Sequence, residues 1–189
     1  MTPADPPDIQ QPGISPIGDR VSPTAPHALP DLPLLDGHGQ PVGTVPAVAL
    51  PGARIPAFYA YWLSATRPGA LPDLSAIDPL LMPPEILPFM AIYAVEPDGR
   101  LRIRLMGTAV ADRTGEDLTG RIVEPFGVTA TLHARLTWGV AHRRPYVEHG
   151  QVPAAERDFI QLTALAAPFA DHSGAVQRVV AVLQFVAPR

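Results

Sequence analysis

The chain has 189 residues, carries 14 basic against 18 acidic side chains for a net charge of −4, and contains no cysteine. This length suits one domain with additional sequence or two small domains, and the missing cysteine excludes disulfides, thiolate nucleophiles and Cys-ligated metals. The absence of a basic tract argues against nucleic acid as a partner. The sequence has neither a secretory signal nor an apolar run of roughly 20 residues, so we expect a cytoplasmic protein without a membrane span.

Residues 1–52 are a proline-rich segment ahead of the predicted domain, residues 53–189. Thirteen of the 25 prolines lie within residues 1–56, and proline removes backbone donors and interrupts helices and central strands. We therefore expect an extended, poorly ordered leader. Leu34-Leu35 and Val48–Leu50 are apolar, so the alternative to a flexible tail is a segment that docks on the folded body.

The first predicted helix begins at Pro56 and covers the sequence PAFYAYWLSAT. Proline is favoured in the first turn of a helix, and Pro68-Gly69 ends the segment. Its apolar residues recur every three or four positions and share one face: Phe58, Tyr61, Trp62 and Ala65. This aromatic stripe indicates a packed flank of the core that could also form a dimer seam.

Residues 71–90 combine five prolines with many leucines and isoleucines. The prolines limit this segment to short helical turns, such as one at Pro83–Leu87. Its apolar content predicts that it wraps the folded body.

A β-hairpin follows. The strand over residues 101–106 alternates, with Leu101, Ile103 and Leu105 on one face and Arg102, Arg104 and Met106 on the other. The turn Glu96-Pro97-Asp98-Gly99 connects it to the apolar run Ala91–Val95. The pattern predicts an antiparallel pair whose core face carries the three apolar residues of the second strand.

Helices and then strands make up the remaining sequence. Ala109–Thr114 and Glu116–Val123 each suit a helical turn. Apolar residues then repeat every four positions in an amphipathic helix: Val128, Leu132, Leu136 and Val140. Three strands are predicted after it: Pro145–Val152, Arg157–Phe169 and, with apolar residues on both faces, Val176–Val186.

This element order predicts an α+β fold. Five strands form an antiparallel sheet, helices are grouped in the middle of the chain, and an N-terminal helix and the proline-rich leader precede them. Grouped helices and strands favour such a sheet over alternating βαβ units.

Several segments together resemble a known family. They are an aromatic helix at Phe58–Trp62, the pair Leu71-Pro72 with Ile77-Asp78-Pro79, the strand end RLMGTAV from Arg104, and GEDLTGR from Gly115. In this order, over about residues 56–186, the sequence resembles a bacterial PAS-like family best known from proteobacteria. Residues 104–121 carry most of the likeness.

The resemblance implies a PAS fold, with helices across one face of a five-stranded sheet and a small pocket between them. It implies a sensory or interaction domain in signal transduction, rather than an enzyme, that binds a small molecule or a protein partner. PAS domains commonly dimerise, and we expect a homodimer through the Phe58–Trp62 helix or the sheet face. Because no kinase, cyclase or DNA-binding segment is recognised in the chain, we expect it to pass its signal to another protein.

Four residues are candidates for the binding site that the resemblance implies. We interpret Met106, Leu136 and Leu162 as pocket-lining residues. Arg104 would bind an anionic ligand, or pair with a carboxylate, if the helices covered its face of the strand. If that face meets solvent, Arg104 is an ordinary surface charge.

The sequence leaves the cofactor undetermined. Without cysteine, neither a flavin–thiol adduct nor a thioester-linked chromophore can form, and non-covalent flavin or haem stays open with no motif for either. Some PAS domains take a haem ligand from the region of His133 and His142. Because His133 lies off the apolar stripe, we interpret these residues as surface histidines, and the histidines overall lack metal-ligand spacing.

Catalytic motifs are weak in this sequence. It lacks the G-x-S-x-G setting of a hydrolase serine and a glycine-rich phosphate loop. The alternative to a sensor is a small cone-shaped α+β enzyme that uses a buried carboxylate, such as Asp112, as general base; a pKa raised by burial would support it. A purely structural partner subunit is a third hypothesis, which the sequence does not separate from the first.

Overall fold

The computed structural model describes residues 29–151 and 161–186. The described residues form eight strands: β1 (Leu32–Leu35), β2 (Pro41–Val45), β3 (Met90–Val95), β4 (Leu101–Met106), β5 (Ile122–Val123), β6 (Tyr146–Gln151), β7 (Gln161–Ala170) and β8 (Val176–Val186). They also form three α-helices: α1 (Arg54–Ala65), α2 (Thr108–Thr114) and α3 (Ala130–His142). Within these residues, no helix has both the length and the apolar character needed to cross a bilayer.

A five-stranded antiparallel sheet forms the centre of the fold, in the order β4-β3-β8-β7-β6. These are the five strands that the sequence predicts, so the predicted α+β fold is confirmed. The structure extends this sheet at both edges. The hairpin β1–β2 joins through a parallel contact between β1 and β6, and the two-residue strand β5 joins β4.

The sheet separates two hydrophobic cores. We call the layer beneath α2 and α3 the α3-side core; its largest fully buried side chains are Leu35, Ile103, Leu136 and Tyr146. We call the layer beneath α1 the α1-side core; its largest are Leu32, Ile55, Phe58, Ile86, Leu165 and Phe169. Helices α2 and α3 therefore lie across one face of the sheet, as predicted, and the N-terminal helix α1 covers the other face. Strand β8 lies between β7 and β3, which explains its apolar residues on both faces.

Helix α1 is part of the core. It begins at Arg54, two residues earlier than predicted, and it buries Ile55, Phe58, Tyr59 and Trp62 against the sheet. The Trp62 indole Nε1 donates a hydrogen bond of 3.0 Å to the carbonyl of Pro168 on β7. These side chains pack within their own chain, so the stripe is a packed flank of the core, and a dimer seam along this helix stays a prediction.

Residues 32–50 pack on the domain, whereas the sequence predicts that they belong to a poorly ordered leader. Leu32 and Leu35 of β1 are only 1% and 2% exposed, and Leu50 is buried as well. The turn between β1 and β2 is closed by the Asp36 carboxylate, whose Oδ1 accepts from the backbone N–H of His38 at 2.8 Å and of Gln40 at 2.9 Å. Proline is compatible with this hairpin because Pro41 takes the first position of the edge strand β2. The leader's residues 1–28 lie outside the described part of the chain.

A bulge in the β3–β4 pair changes the predicted face of β4. Ile92 pairs with Leu105 while Tyr93 pairs with Ile103, which leaves Arg104 as the extra residue. An extra residue shifts the side-chain alternation by one position. Ile103 is therefore buried at 2% exposure, Leu105 is 41% exposed, and Met106 turns toward the α3-side core. The prediction that Leu105 shares the core face is wrong.

Smaller differences follow from local turns. The segment Glu116–Val123 is a turn leading into β5 rather than a helix, because Asp117 Oδ1 accepts from the Thr119 backbone N–H at 2.9 Å. In the stripe of α3, Leu136 is fully buried but Val128 precedes the helix and is exposed. Residues 71–90 wrap the body as predicted, with a 3-10 helix at Pro84–Phe89. The first residues of the predicted strand Arg157–Phe169 lie outside the described residues.

Candidate functional site

A cavity lies between the α3-side face of the sheet and helices α2 and α3. Its volume is about 160 Å³. Most of its lining is apolar and comes from the strands and from both helices: Ile103, Met106, Val110, Leu118, Val128, Leu132, Leu162, Leu183 and Phe185. The cavity therefore suits a small, mainly apolar molecule.

Glycines let the elements around this cavity approach closely. At Gly107, where β4 gives way to α2, an added Cβ would lie 2.5 Å from the carbonyl oxygen of Pro88. At Gly139 of α3, an added Cβ would lie 2.8 Å from the Tyr146 ring. Neither distance is compatible with a larger residue unless the backbone or the ring moves. Gly107 therefore sets how near the start of α2 lies to the 3-10 helix Pro84–Phe89, and Gly139 sets how near α3 lies to β6.

A buried ion pair forms the polar wall of the cavity. Arg135 on α3 and Glu148 on β6 both line it, and the Arg135 Nη1 lies 3.2 Å from the Glu148 Oε2. Arg135 also donates from Nε to the Asp36 carbonyl at 2.8 Å and from Nη2 to the His149 carbonyl at 3.0 Å. The guanidinium is thus held by the β1–β2 turn, by β6 and by the carboxylate.

Burial sets the electrostatics of this wall. It raises the pKa of the Glu148 carboxyl, and the charge of Arg135 opposes that rise. Burial, followed by the nearby charge of Glu148, also raises the pKa of Tyr93, which lines the cavity, and of Tyr146. The Tyr146 hydroxyl is buried without a hydrogen-bond partner among the described groups. Glu148 Oε2 is also buried, and its partner there is the Arg135 guanidinium of the ion pair.

The structure brings together two of the four residues proposed from the sequence. Met106 and Leu162 both line the cavity. Leu136 is fully buried in the same core, but it lies outside the lining. Arg104 is exposed at the bulge and borders a separate groove with Glu96. The structure therefore places Arg104 away from the cavity and in solvent, the second of its two sequence interpretations.

Sequence reasoning missed the charged residues of the site. Arg135 follows Leu132 by three positions, so helical spacing turns it toward the same face. Glu148 follows Tyr146 by two positions in a predicted strand and shares its face. Opposite charges on the inward faces of two adjacent elements were the available signal, but an isolated charge in either element is more often exposed.

Other candidate residues lie away from the cavity. His133 and His142 do not line it, and His142 stacks on the Trp138 ring at a centroid distance of 4.4 Å. Asp112 is exposed on α2, so the hypothesis that it is a buried base is wrong. Within residues 29–151 and 161–186, no group of three or more histidine or acidic side chains is arranged to hold a metal ion.

Comparisons with known proteins add a family assignment. A family model described as "PAS domain" matches residues 53–184. A sensory box sensor histidine kinase from Vibrio cholerae is similar at 16% identity, with a TM-score of 0.39, over 52% of this chain and 79% of that one. The PAS domain of BvgS from Bordetella pertussis is similar at 21% identity, with a TM-score of 0.41, over 52% of this chain and 78% of that one. No curated protein matches the chain.

Proposed function

This chain belongs to the PAS domain family, and we propose that it is a non-catalytic sensory module of signal transduction that binds a small molecule between its sheet and helix α3. The observation that carries the proposal is the cavity of about 160 Å³, with its apolar lining and single buried ion pair. A cavity of this kind in a packed core loses van der Waals contacts that a ligand would restore.

We propose that the module passes its state to another protein, either a second copy of itself or a signalling partner. Ile55, Phe58, Tyr59 and Trp62 of α1 are buried, so a homodimer through this helix would use its remaining residues. A cytoplasmic location and the absence of nucleic acid as a partner remain part of this proposal, in keeping with the net charge of −4.

Native mass spectrometry of the purified protein, together with its absorption spectrum, tests ligand binding. We expect a copurified small molecule at near-stoichiometric mass. Leu162→Trp, which fills the cavity, should abolish this added mass. Leu81→Trp is the matched control, because Leu81 is exposed and is not part of the lining. A folded wild-type protein that carries no added mass and binds no small molecule in titration would contradict the proposal.

An enzyme is the second candidate function, and one observation favours it. Glu148 is a carboxyl in a cavity with a pKa raised by burial, as a general base often is. In this alternative, Glu148 takes the role that the sequence suggested for Asp112. Recovery of the bound molecule chemically unchanged after incubation with the protein would favour the sensor, and its conversion, lost in Glu148→Gln, would favour the enzyme.

A further inference from the structure

Glu148 brings a carboxylate to the wall of a mainly apolar cavity. The residue is only 9% exposed and lines the cavity, and its Oε2 is paired with Arg135 at 3.2 Å. An ionised carboxylate only accepts hydrogen bonds. A carboxylate has about four acceptor positions, and the contact with Arg135 uses only part of them. A buried acceptor position left unfilled is unfavourable, so a donor supplied by a ligand would be favourable here.

Arg135 does not offer the same opportunity to an anion. Three of its five N–H donors already face oxygens, those of the Asp36 carbonyl, the His149 carbonyl and Glu148, and its charge is balanced by that carboxylate. A carboxylate or phosphate entering the cavity would meet the negative charge of Glu148. A cation would in turn meet the guanidinium beside that carboxylate, so the wall favours a ligand without net charge.

The volume limits the size of the ligand. A cavity of about 150 Å³ lined by aliphatic and aromatic residues accommodates benzene, and this one measures about 160 Å³. The apolar lining around Met106 and Leu162 provides the surface against which such a body would pack.

We propose, on the premise that the cavity binds a small molecule, that the ligand is a neutral and mainly apolar molecule about the size of one benzene ring, with a single O–H or N–H group that donates to the Glu148 carboxylate. Glu148 thereby selects for the donor, while the apolar lining selects for size and shape. A site built around a hydrogen bond discriminates strongly against analogues that lack it.

Phenol and toluene test the donor, because they have the same number of non-hydrogen atoms and differ at one group. Transfer from water into an apolar site is more favourable for toluene than for phenol. Phenol therefore binds with the lower Kd only if the site provides a hydrogen bond. Isothermal titration calorimetry should give phenol the lower Kd by about tenfold or more. Benzoate should not bind. Amide and methyl NMR spectra of the full chain should show shifts centred on Leu162 and Tyr93.

The outcomes separate this inference from the proposed function. Equal affinities for phenol and toluene, with shifts at Leu162, would overturn the role of Glu148 and leave the binding cavity in place. Tighter binding of benzoate would overturn it in favour of an anion site at Arg135. If none of the three compounds shifts a cavity residue, both the inference and the small-molecule function fail.

Variants test the carboxylate directly. Glu148→Gln should reduce the preference for phenol, since the acceptor loses its charge, and should leave toluene binding nearly unchanged. If Glu148→Gln does not fold because Arg135 loses its partner, the double variant Arg135→Met with Glu148→Leu replaces the pair by apolar residues, an exchange that folded proteins often tolerate. It should bind toluene at least as tightly as phenol, and a retained preference for phenol would overturn the proposal.

Discussion

Leu35→Ala would measure how firmly the hairpin β1–β2 belongs to the domain. The family model begins at residue 53, yet Leu35 is 2% exposed in the α3-side core. Truncating a buried leucine to alanine costs about 2–5 kcal/mol. For a chain of this size, a loss of about 3 kcal/mol lowers the Tm by roughly 6–12 °C. Thermal unfolding followed by circular dichroism would measure the change.

Val42→Ala is the matched control for this experiment. Val42 lies on β2 of the same hairpin and is exposed. Exposed substitutions usually change stability by less than about 0.5 kcal/mol, which corresponds to a Tm change of about 2 °C or less. If Leu35→Ala melts within that interval of the wild type, the hairpin is not packed on the sheet, and the conclusion that residues 32–50 are part of the fold would be refuted.

Three further predictions concern the bulge, the hairpin turn and the ion pair. Ile103→Ala should destabilise by about 2–5 kcal/mol in urea unfolding, whereas Leu105→Ala should cost less than about 1 kcal/mol; equal losses would contradict the bulged register. Gly39→Ala should lower the Tm, because Gly39 has a φ of 71° and its Cβ would lie 2.6 Å from the Ala134 carbonyl oxygen; an unchanged Tm would show that the turn does not press on α3. Because burial raises the pKa of the Glu148 carboxyl above 4.5 in the folded state, its stabilising contribution is present below that value and is lost as the pH rises through the raised pKa. The Tm of the wild type relative to Glu148→Gln should therefore fall as the pH rises above 4.5; a constant difference would contradict the burial of the charge.

The central sheet could be predicted from sequence because its signals are local. Strands β3 and β4 are joined by a Pro-Asp-Gly turn, and β7 and β8 by an Asp-His-Ser-Gly turn. The alternation of apolar residues then identifies each strand, and the predicted bounds of β4 and β8 are confirmed. Turn chemistry and side-chain period need no information from distant parts of the chain.

The hairpin β1–β2 was missed because proline content outweighed a turn signal. Asp36-Gly37-His38-Gly39 separates two short apolar runs, which is a hairpin pattern. Its stability depends on the parallel contact with β6, more than a hundred residues later in the chain. No local pattern predicts that contact.

The bulge and the ion pair depend on tertiary packing in the same way. The extra residue at Arg104 is visible only when β4 is paired with β3. Arg135 and Glu148 are buried only because α3 packs over the sheet and each neutralises the other. Met106 shows the effect of the bulge. Strict alternation along β4 would place Met106 and Ile103 on opposite faces of the strand, whereas the bulge turns the Met106 side chain to the cavity.

The central position of β8 has a consequence for synthesis on the ribosome. Strands β3 and β4 emerge first as one hairpin, and β6 and β7 emerge later as another, but the two are joined only through β8, which follows all of them along the chain. Until residues 176–186 leave the exit tunnel, the facing edges of β3 and β7 have no partner strand, and unpaired edges are sites of aggregation. Nascent chains that stall before residue 176 should therefore bind chaperones, and the domain should become protease-resistant in a single late step.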